Sequence, residues 1–482
     1  MTSKFPYLPK DQRKNILLLA DDIRMFSGVA TQAREIVLKS AHHFNWLNLG
    51  AAVKHPEIGK VLDLSKEVNK MRGIDDADVK VIPNNGYGSI QQVRQLQDQY
   101  KIDAIFIFTD PRYFEWLFNE EREIRSQIPI FYLNIWDDYP APNFNYNYYR
   151  SVDLLMGISK QTVNINKLVL GEEANDKVIR YVPHGIDSNV FKPIEKDTDA
   201  YLELMKTKID MFRGDEPEFV VLFNSRNIHR KHASDTMLAY KIFCDMIGDE
   251  AAKKCALVMK TEVNSDHGTD LRAVKEALTD PEVNRIYFNQ GRLAPEQMNQ
   301  LYNIADVNIL LTSNEGFGLS LAEANMAGTM IIANTTGGMQ DQMRFVDDKG
   351  EWYTPSADIP SNHRGTYKKH GEWSLPVYPS NISLAGSPKT PYIFDDRCNP
   401  EDAAARILEA YELGKEERDR RGAKAREWVM GDESKMEATT MVDNVIDSMT
   451  EAFDKFTPRP RYEFFKTRPH KSPKVTHKLY GY

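Results

Sequence analysis

Short apolar segments alternate with amphipathic ones through the first part of the chain. The apolar segments are 15–22, 46–53, 79–84, 103–110, 128–136, 154–159 and 178–185. Most of the stretches between them follow a helical period, as Ile90, Val93, Leu96 and Tyr100 do. Continuously apolar strands separated by helices are typical of a parallel sheet that helices cover on both faces. The pattern predicts one α/β domain over residues 1–186.

The same alternation starts again after a polar, charged segment at 187–217, which we interpret as a linker. Here the apolar segments are 218–226, 255–261, 284–290, 306–313 and 329–336. They predict a second α/β domain over residues 218–456. Ligands of doubly wound sheets lie at the carboxyl ends of the strands. Two such domains in one chain therefore predict a binding cleft between them.

Two segments depart from this pattern. Residues 345–400 are irregular, rich in Pro, Ser, Gly and aromatic residues, and too long for an ordinary loop, which indicates a functional insertion or lid. In the tail at 457–482, seven Lys or Arg residues follow Pro458 against one acid, a charge of about +6. One interpretation is a crossover in which Tyr462, Phe464 and Phe465 brace the first domain. The other is a basic arm that binds nucleic acid.

Composition limits the compartment and the partners. The 482 residues carry a net charge of −8 and are 41% hydrophobic, which is ordinary for a soluble protein and gives no general attraction to polyanions. Three cysteines, Cys244, Cys255 and Cys398, have no metal-ligand spacing. No apolar leader follows Met1, and no apolar run is long enough to span a membrane. We expect a soluble, cytoplasmic protein; its oligomeric state is left open.

Two cations follow the first strand of the second domain, in the segment SRNIHRKHAS. Arg226 and Lys231 lie on a loop that leads into a helix near Ala233. Cations beside a helix N-terminus suit a diphosphate. The alternative is a solvated basic turn.

The segment NEGFGLSLAE joins a later strand to its helix. Gly316 and Gly318 allow close approach of a ligand to the backbone, and the helix beginning near Leu319 aims free amides at it. Glu323, about one turn into that helix, suits a vicinal diol, and Glu315 suits a sugar hydroxyl. The alternative is a turn whose acids are solvated or cap the helix.

Two first-domain turns carry weaker signals. Gly28 follows the first strand, but the full glycine fingerprint for a phosphate is missing, so a tight turn is an equal interpretation. His184, in VPHGID, is better interpreted as a packed turn residue than as a catalytic base.

Together, VPHGID, the Arg226/Lys231 pair, NQGRL and the Glu315-x7-Glu323 element resemble glycosyltransferase family 4, continuously over about 219–338. Those enzymes have the GT-B fold, retain anomeric configuration and use nucleotide sugars. The insertion and the run TTGGMQDQM look more like phage members of the family. The resemblance implies a metal-independent transfer from a UDP-linked sugar to a hydroxyl acceptor, with no cofactor.

The resemblance also implies a role for each matched residue. Arg226 and Lys231 would bind the donor diphosphate and stabilise it as it leaves, and Glu315 would contact the sugar near its anomeric carbon. Glu323 would bind the ribose. The remaining donor contacts would come from Gly28, Gly316, Phe317, Gly318, Leu319, Arg292 and Leu293, the last two near the base.

The sequence departs from the family on the acceptor side. Many relatives have a histidine after a central first-domain strand, where this chain has Asp110; Asp110 or Asp138 is the candidate for a polar role there. The insertion is then either a flap or an acceptor-binding element, and the basic tail leaves open a hydroxylated base in phage-type DNA as the acceptor. No Asp-x-Asp follows a donor-domain strand, and Asp137 and Asp138 as neighbours on an extended segment make a poor shared metal site. Two other classes remain as alternatives: a GT-B nucleotide-sugar epimerase and an inactive sugar-nucleotide-binding module.

Overall fold

The computed structural model describes residues 3–52, 54–358, 363, 365–460 and 462 of the chain. The first domain is built on an eight-stranded sheet. Its strands are β1 Lys14–Asp21, β2 Phe44–Ala51, β3 Leu62–Asp63, β4 Val79–Asn84, β5 Ala104–Phe108, β6 Ile130–Asn134, β7 Leu154–Gly157 and β8 Val178–Tyr181. Their spatial order is β3-β4-β2-β1-β5-β6-β7-β8, and only β3 runs antiparallel to its neighbour. Each of the seven predicted segments overlaps one strand, and the two-residue β3 was not predicted.

Helices cover both faces of this sheet. They are α1 Gly28–Ser40, α2 Ser65–Arg72, α3 Ile90–Tyr100, α4 Glu115–Phe118, α5 Glu121–Ile124, α6 Tyr146–Arg150 and α7 Lys160–Leu170. Ser27, Ser89 and Ser159 cap α1, α3 and α7 by accepting a hydrogen bond from a backbone amide of the first turn. The central strands are apolar on both faces and fully buried, which explains why their sequences show no alternation.

The second domain repeats this plan with six parallel strands in the order β11-β10-β9-β12-β13-β14. The strands are β9 Phe219–Asn224, β10 Cys255–Lys260, β11 Ile286–Asn289, β12 Val307–Leu310, β13 Met330–Asn334 and β14 Ser374–Val377. The helices are α8 Asp199–Phe212, α9 Ala233–Ile247, α10 Asp249–Ala252, α11 Leu271–Leu278, α12 Pro295–Ile304, α13 Leu319–Ala327, α14 Met339–Met343, α15 Pro400–Glu412 and α16 Gly414–Met430. Short 3-10 helices lie at Lys10–Gln12, Pro111–Phe114, Asn143–Asn145, Gly171–Asp176 and His229–Lys231.

Two predicted boundaries differ from the structure. The segment 345–400 is only partly an insertion, because it supplies β14 to the second sheet and then a separate hairpin, β15 Asn381–Ser387 and β16 Thr390–Arg397. The segment 187–217 is not a bare linker, because α8 within it packs on α12.

The return to the first domain also comes earlier than the predicted crossover at 457–482. Helix α17, Ala438–Lys455, packs on α1, β7 and β8. It does so through a stripe that includes the buried Met441, Val445 and Met449. Tyr462 is exposed, and Phe464 and Phe465 lie outside the described residues, as does most of the basic tail. Within the described chain, no helix has the length and apolar character needed to cross a membrane.

The architecture is therefore GT-B, as predicted: two Rossmann-like α/β domains with a cleft between the carboxyl ends of their strands.

Candidate functional site

A cavity of about 940 Å³ lies between the two domains. The first domain contributes Ser27, Gly28, Val29, Ile135, Asp137, Ile158 and His184 to its wall. The second domain contributes the ends of β9, β10 and β12 and the start of α13. Ten of the predicted site residues meet here: Gly28, Arg226, Lys231, Arg292, Glu315, Gly316, Phe317, Gly318, Leu319 and Glu323. The remaining three, Asp110, Asp138 and Leu293, are not among the lining residues.

Three cations line one side of this cavity. Arg226 is exposed, whereas Lys231 is buried and forms an ion pair with Glu315. Arg230, which the sequence analysis did not single out, lies with its guanidinium 3.5 Å from the same Glu315 oxygen. Burial and the charge of Arg230 lower the pKa of Lys231, and Asp137 opposes that shift. The loop thus concentrates positive charge around one carboxylate.

The Gly-Phe-Gly turn is held by a second glycine turn. The amide of Gly338 donates to the carbonyl of Glu315 at 2.9 Å, and a Cβ on Gly338 would lie 2.0 Å from the carbonyl oxygen of Gly316. Gly318 has a φ of 88°, a left-handed conformation that favours glycine. Helix α13 then starts at Leu319 without a side-chain cap. Leu319 and Ser320 line the cavity, so the N-terminus of α13 lies at its wall, a position that suits an anion.

Glu323 lies deeper in the same wall. The Tyr302 hydroxyl donates to Glu323 Oε2 at 2.6 Å, and Asn224 Nδ2 donates to the Tyr302 oxygen at 2.8 Å. Burial raises the pKa of Glu323 to about 7, although the hydrogen bond from Tyr302 opposes the shift. Tyr302 fixes one carboxylate oxygen and orients the other.

At the rim, Arg292 joins the two domains. Its guanidinium lies 4.9 Å from the ring centre of Phe26, a first-domain residue that is 74% exposed. Arg292 and Phe26 make a cation–π contact across the cleft mouth. Leu293, which follows Arg292 in the sequence, is half-buried against the second-domain core.

Asp137, not Asp138, is the acid that reaches the cavity from the first domain. Ile135 and Asp137 both line the cavity, as expected for an extended segment with a period of two. Burial raises the pKa of Asp137, and Arg230 and Lys231 oppose the shift. Asp138 is fully buried on the other side, where its carboxylate accepts from the amide of Tyr139. The alternation from Ile135 was the sequence signal for Asp137.

Asp110 and His184 have structural contacts. Asp110 accepts from the amide of Arg112 at 3.0 Å and pairs with its guanidinium, so it caps the 3-10 helix at Pro111–Phe114. His184 is buried between the rings of Phe108 and Phe317, and burial lowers its pKa to about 3. It therefore lines the cavity as a neutral ring. Within the described ranges, no three His, Cys, Asp or Glu residues are grouped to hold a metal ion.

Comparison with known proteins agrees with this geometry. Residues 209–359 match the family model of the glycosyl transferases group 1. A curated D-inositol 3-phosphate glycosyltransferase of Corynebacterium jeikeium is 25% identical over 190 residues, which span 39% of this chain and 42% of that protein. The region matched by the family model includes the Arg226–Lys231 loop and the Glu315–Glu323 element.

Solved structures share the fold at low identity. The Anabaena protein HepE, in complex with UDP and glucose, superposes with a TM-score of 0.60 at 14% identity and covers 91% of this chain and 100% of its own. Sucrose-phosphate synthase from Thermosynechococcus elongatus gives 0.60 at 15% identity, covering 92% and 100%. These likenesses show the two-domain fold.

Proposed function

We propose that this protein transfers a sugar from a UDP-linked donor to a hydroxyl acceptor with retention of configuration. The observation that carries the proposal is the convergence of Arg226, Arg230, Lys231 and the uncapped start of α13 on one cavity. Such a set neutralises a diphosphate in its ground state and, more strongly, as it leaves. The UDP and glucose of the HepE complex support the choice of donor.

In this proposal the second domain holds the donor. The diphosphate lies against Arg226 and the amides of α13, and Glu323 accepts from the ribose hydroxyls. Lys231 and Arg230 are both paired with Glu315, and they place positive charge where the sugar joins the diphosphate. Because these cations supply the neutralisation, the proposed transfer needs no metal.

The bond changes follow from this placement. The anomeric carbon–oxygen bond to the diphosphate breaks, and its electron pair leaves with the diphosphate. The acceptor oxygen forms the new bond from the same face, which retains the configuration, and its proton passes to the departing phosphate oxygen. Asp137 and Glu315 flank the sugar position and are the candidates to orient its hydroxyls.

The test has two steps. A thermal-shift panel of UDP, UDP-glucose, GDP-mannose and free glucose is expected to show stabilisation by the two UDP compounds. Mass spectrometry of candidate acceptors, incubated with UDP-glucose in the presence of EDTA, is then expected to show a hexose addition, and NMR an α-linkage. A β-linkage would overturn retention, and dependence on a divalent metal would overturn the metal-independent transfer. Isomerisation of the donor without an acceptor would overturn sugar transfer itself.

A further inference from the structure

The β15–β16 hairpin, Asn381–Arg397, contacts both domains although it is excluded from both large sheets. We refer to these residues as the strap. Within β16, neighbouring side chains divide between the domains: Phe394 packs against an apolar cluster of the first domain, whereas Asp395 and Asp396 contact the second. Three consecutive residues therefore join the two halves of the cleft.

The contacts with the first domain are apolar and backbone in character. The amide of Phe394 donates to the carbonyl of Tyr139 at 2.8 Å. The ring of Tyr392 lies 5.1 Å from the ring of Phe144 in an edge-on arrangement. Arg112 donates to the carbonyl of Lys389 at the hairpin turn. This half of the strap lies on the segment that follows Asp137.

The contacts with the second domain hold the loop that carries Glu315. Asn314 Nδ2 donates to Asp395 Oδ1 at 3.0 Å, and the amide of Asp396 donates to the carbonyl of Ser313 at 3.1 Å. Asn334 Nδ2 donates to the carbonyl of Asp396 at 2.7 Å. The strap is thus bonded to the two residues immediately before Glu315.

A buried carboxyl group completes the contact. Asp138 is fully buried near Asp396, and burial together with the charges of Asp396, Asp137 and Asp395 raises its pKa well above the usual range. This shift favours the uncharged form of Asp138, which lowers its repulsion with Asp396 where the strap meets the first domain.

We propose that the strap positions Glu315 opposite Asp137 and fixes the opening of the cleft, so that the donor sugar meets the first domain in a reactive geometry. The catalytic part of this inference rests on the proposed function, whereas the conformational part does not. Displacement by about 1 Å between reacting groups costs up to about 100-fold in rate, so a small opening is sufficient for a large effect.

The test removes the two strap side chains that pack against the first domain. Tyr392→Ala/Phe394→Ala leaves every cavity residue in place. The control within the strap is Asn381→Ala, an exposed residue at the start of β15 that lies opposite Arg397 and not opposite the two rings. Cysteines at the exposed positions Lys60 and Glu276, one on each domain, with Cys398→Ser in all variants, carry spin labels for an interdomain distance measurement.

The double variant is expected to broaden the distance distribution and to lower kcat for UDP release from UDP-glucose by about 10- to 100-fold, with KM changed by less than about threefold. Tyr392→Phe and the Asn381→Ala control are expected to match the unmodified strap. Unchanged distances together with unchanged kcat in the double variant would overturn the inference.

If the double variant is unstable, Tyr392→Ala alone enters the same two measurements. If the wild type neither binds nor cleaves UDP-glucose, the proposed function fails. The distance measurement then decides the role of the strap by itself: a broadened distribution supports it, and an unchanged one overturns it.

Discussion

The two walls of the cleft are built in different ways. The second-domain wall consists of two short local motifs, SRNIHRK and NEGFG, each placed by the end of one strand. The first-domain wall is assembled from the loops after β1, β6, β7 and β8, and the strap contacts this domain from a distant part of the sequence. The second-domain wall, which holds the donor in the proposed function and which we refer to as the donor wall, has concentrated charge and tight backbone packing. The first-domain wall presents the half-buried Asp137, the ring of His184 and apolar side chains. The residues proposed to bind the donor are therefore encoded locally, whereas the first-domain wall depends on long-range contacts.

Loss of a donor-wall cation gives the largest expected effect. Lys231→Ala removes a buried charge that pairs with Glu315, and a charge-assisted contact of about 1.5–3 kcal/mol corresponds to roughly 10- to 150-fold in kcat. The measurement is UDP release from UDP-glucose, with Lys241→Ala, on the helix that follows, as control. Equal rates in the two variants would remove Lys231 from the mechanism.

Packing between the two glycine turns comes next. Gly338→Ala places a Cβ 2.0 Å from the Gly316 oxygen, so the Gly-Phe-Gly turn must shift. We expect the unfolding free energy to fall by about 1–3 kcal/mol and UDP-glucose affinity to fall with it. Gly59→Ala is the control for donor affinity: its Cβ would meet no atom within 4 Å, but its φ of 77° disfavours alanine, so it loses stability away from the cavity. Wild-type affinity in Gly338→Ala would show that the turn does not position the ligand.

The pKa of Glu323 predicts a pH dependence confined to the donor wall. With a pKa of about 7, the carboxylate fraction rises about tenfold between pH 6 and 8, so the Kd for UDP-glucose is expected to fall about tenfold. Because the folded-state pKa is raised, stability is lost as pH rises through about 7. Glu323→Gln should flatten both profiles. Calorimetric titration measures the first and thermal melts the second; a wild-type Kd independent of pH would contradict the ribose role.

The contact across the cleft mouth carries the smallest expected effect. Phe26→Ala removes the ring under Arg292, a contact of about 0.5–1 kcal/mol, or roughly two- to fivefold in KM for UDP-glucose. Met71→Ala, another exposed apolar side chain of the first domain, should leave KM unchanged. A larger change in KM for Met71→Ala than for Phe26→Ala would show that the contact between Phe26 and Arg292 does not affect donor binding.

The same division between the walls explains what the sequence could predict. Most strands of both sheets were predictable because strands such as β1, β5 and β9 are largely apolar. Arg226 and Lys231 were predictable because they lie on the loop after β9, and Glu315 and Glu323 because they lie on the turn and helix after β12. Arg230 was overlooked inside a segment already identified. The cap that Asp110 forms is local, and Asp110 followed by Pro111 at a strand end was a sequence signal for it. The position of Asp138 was not predictable, because its burial against Asp396 depends on a contact far along the chain. The role of β14 as an edge strand has the same cause, since its partner β13 precedes it by 40 residues.

The central claim is that the second-domain wall binds a nucleoside diphosphate sugar through its cations. Isothermal titration of UDP-glucose into the wild type and Arg226→Ala/Lys231→Ala tests it most directly. We predict saturable binding by the wild type, with a Kd in the range of about 1 μM to 1 mM, and affinity weaker by at least about 10-fold in the double variant. Equal affinity of the two proteins, or no binding by the folded wild type, would contradict the account.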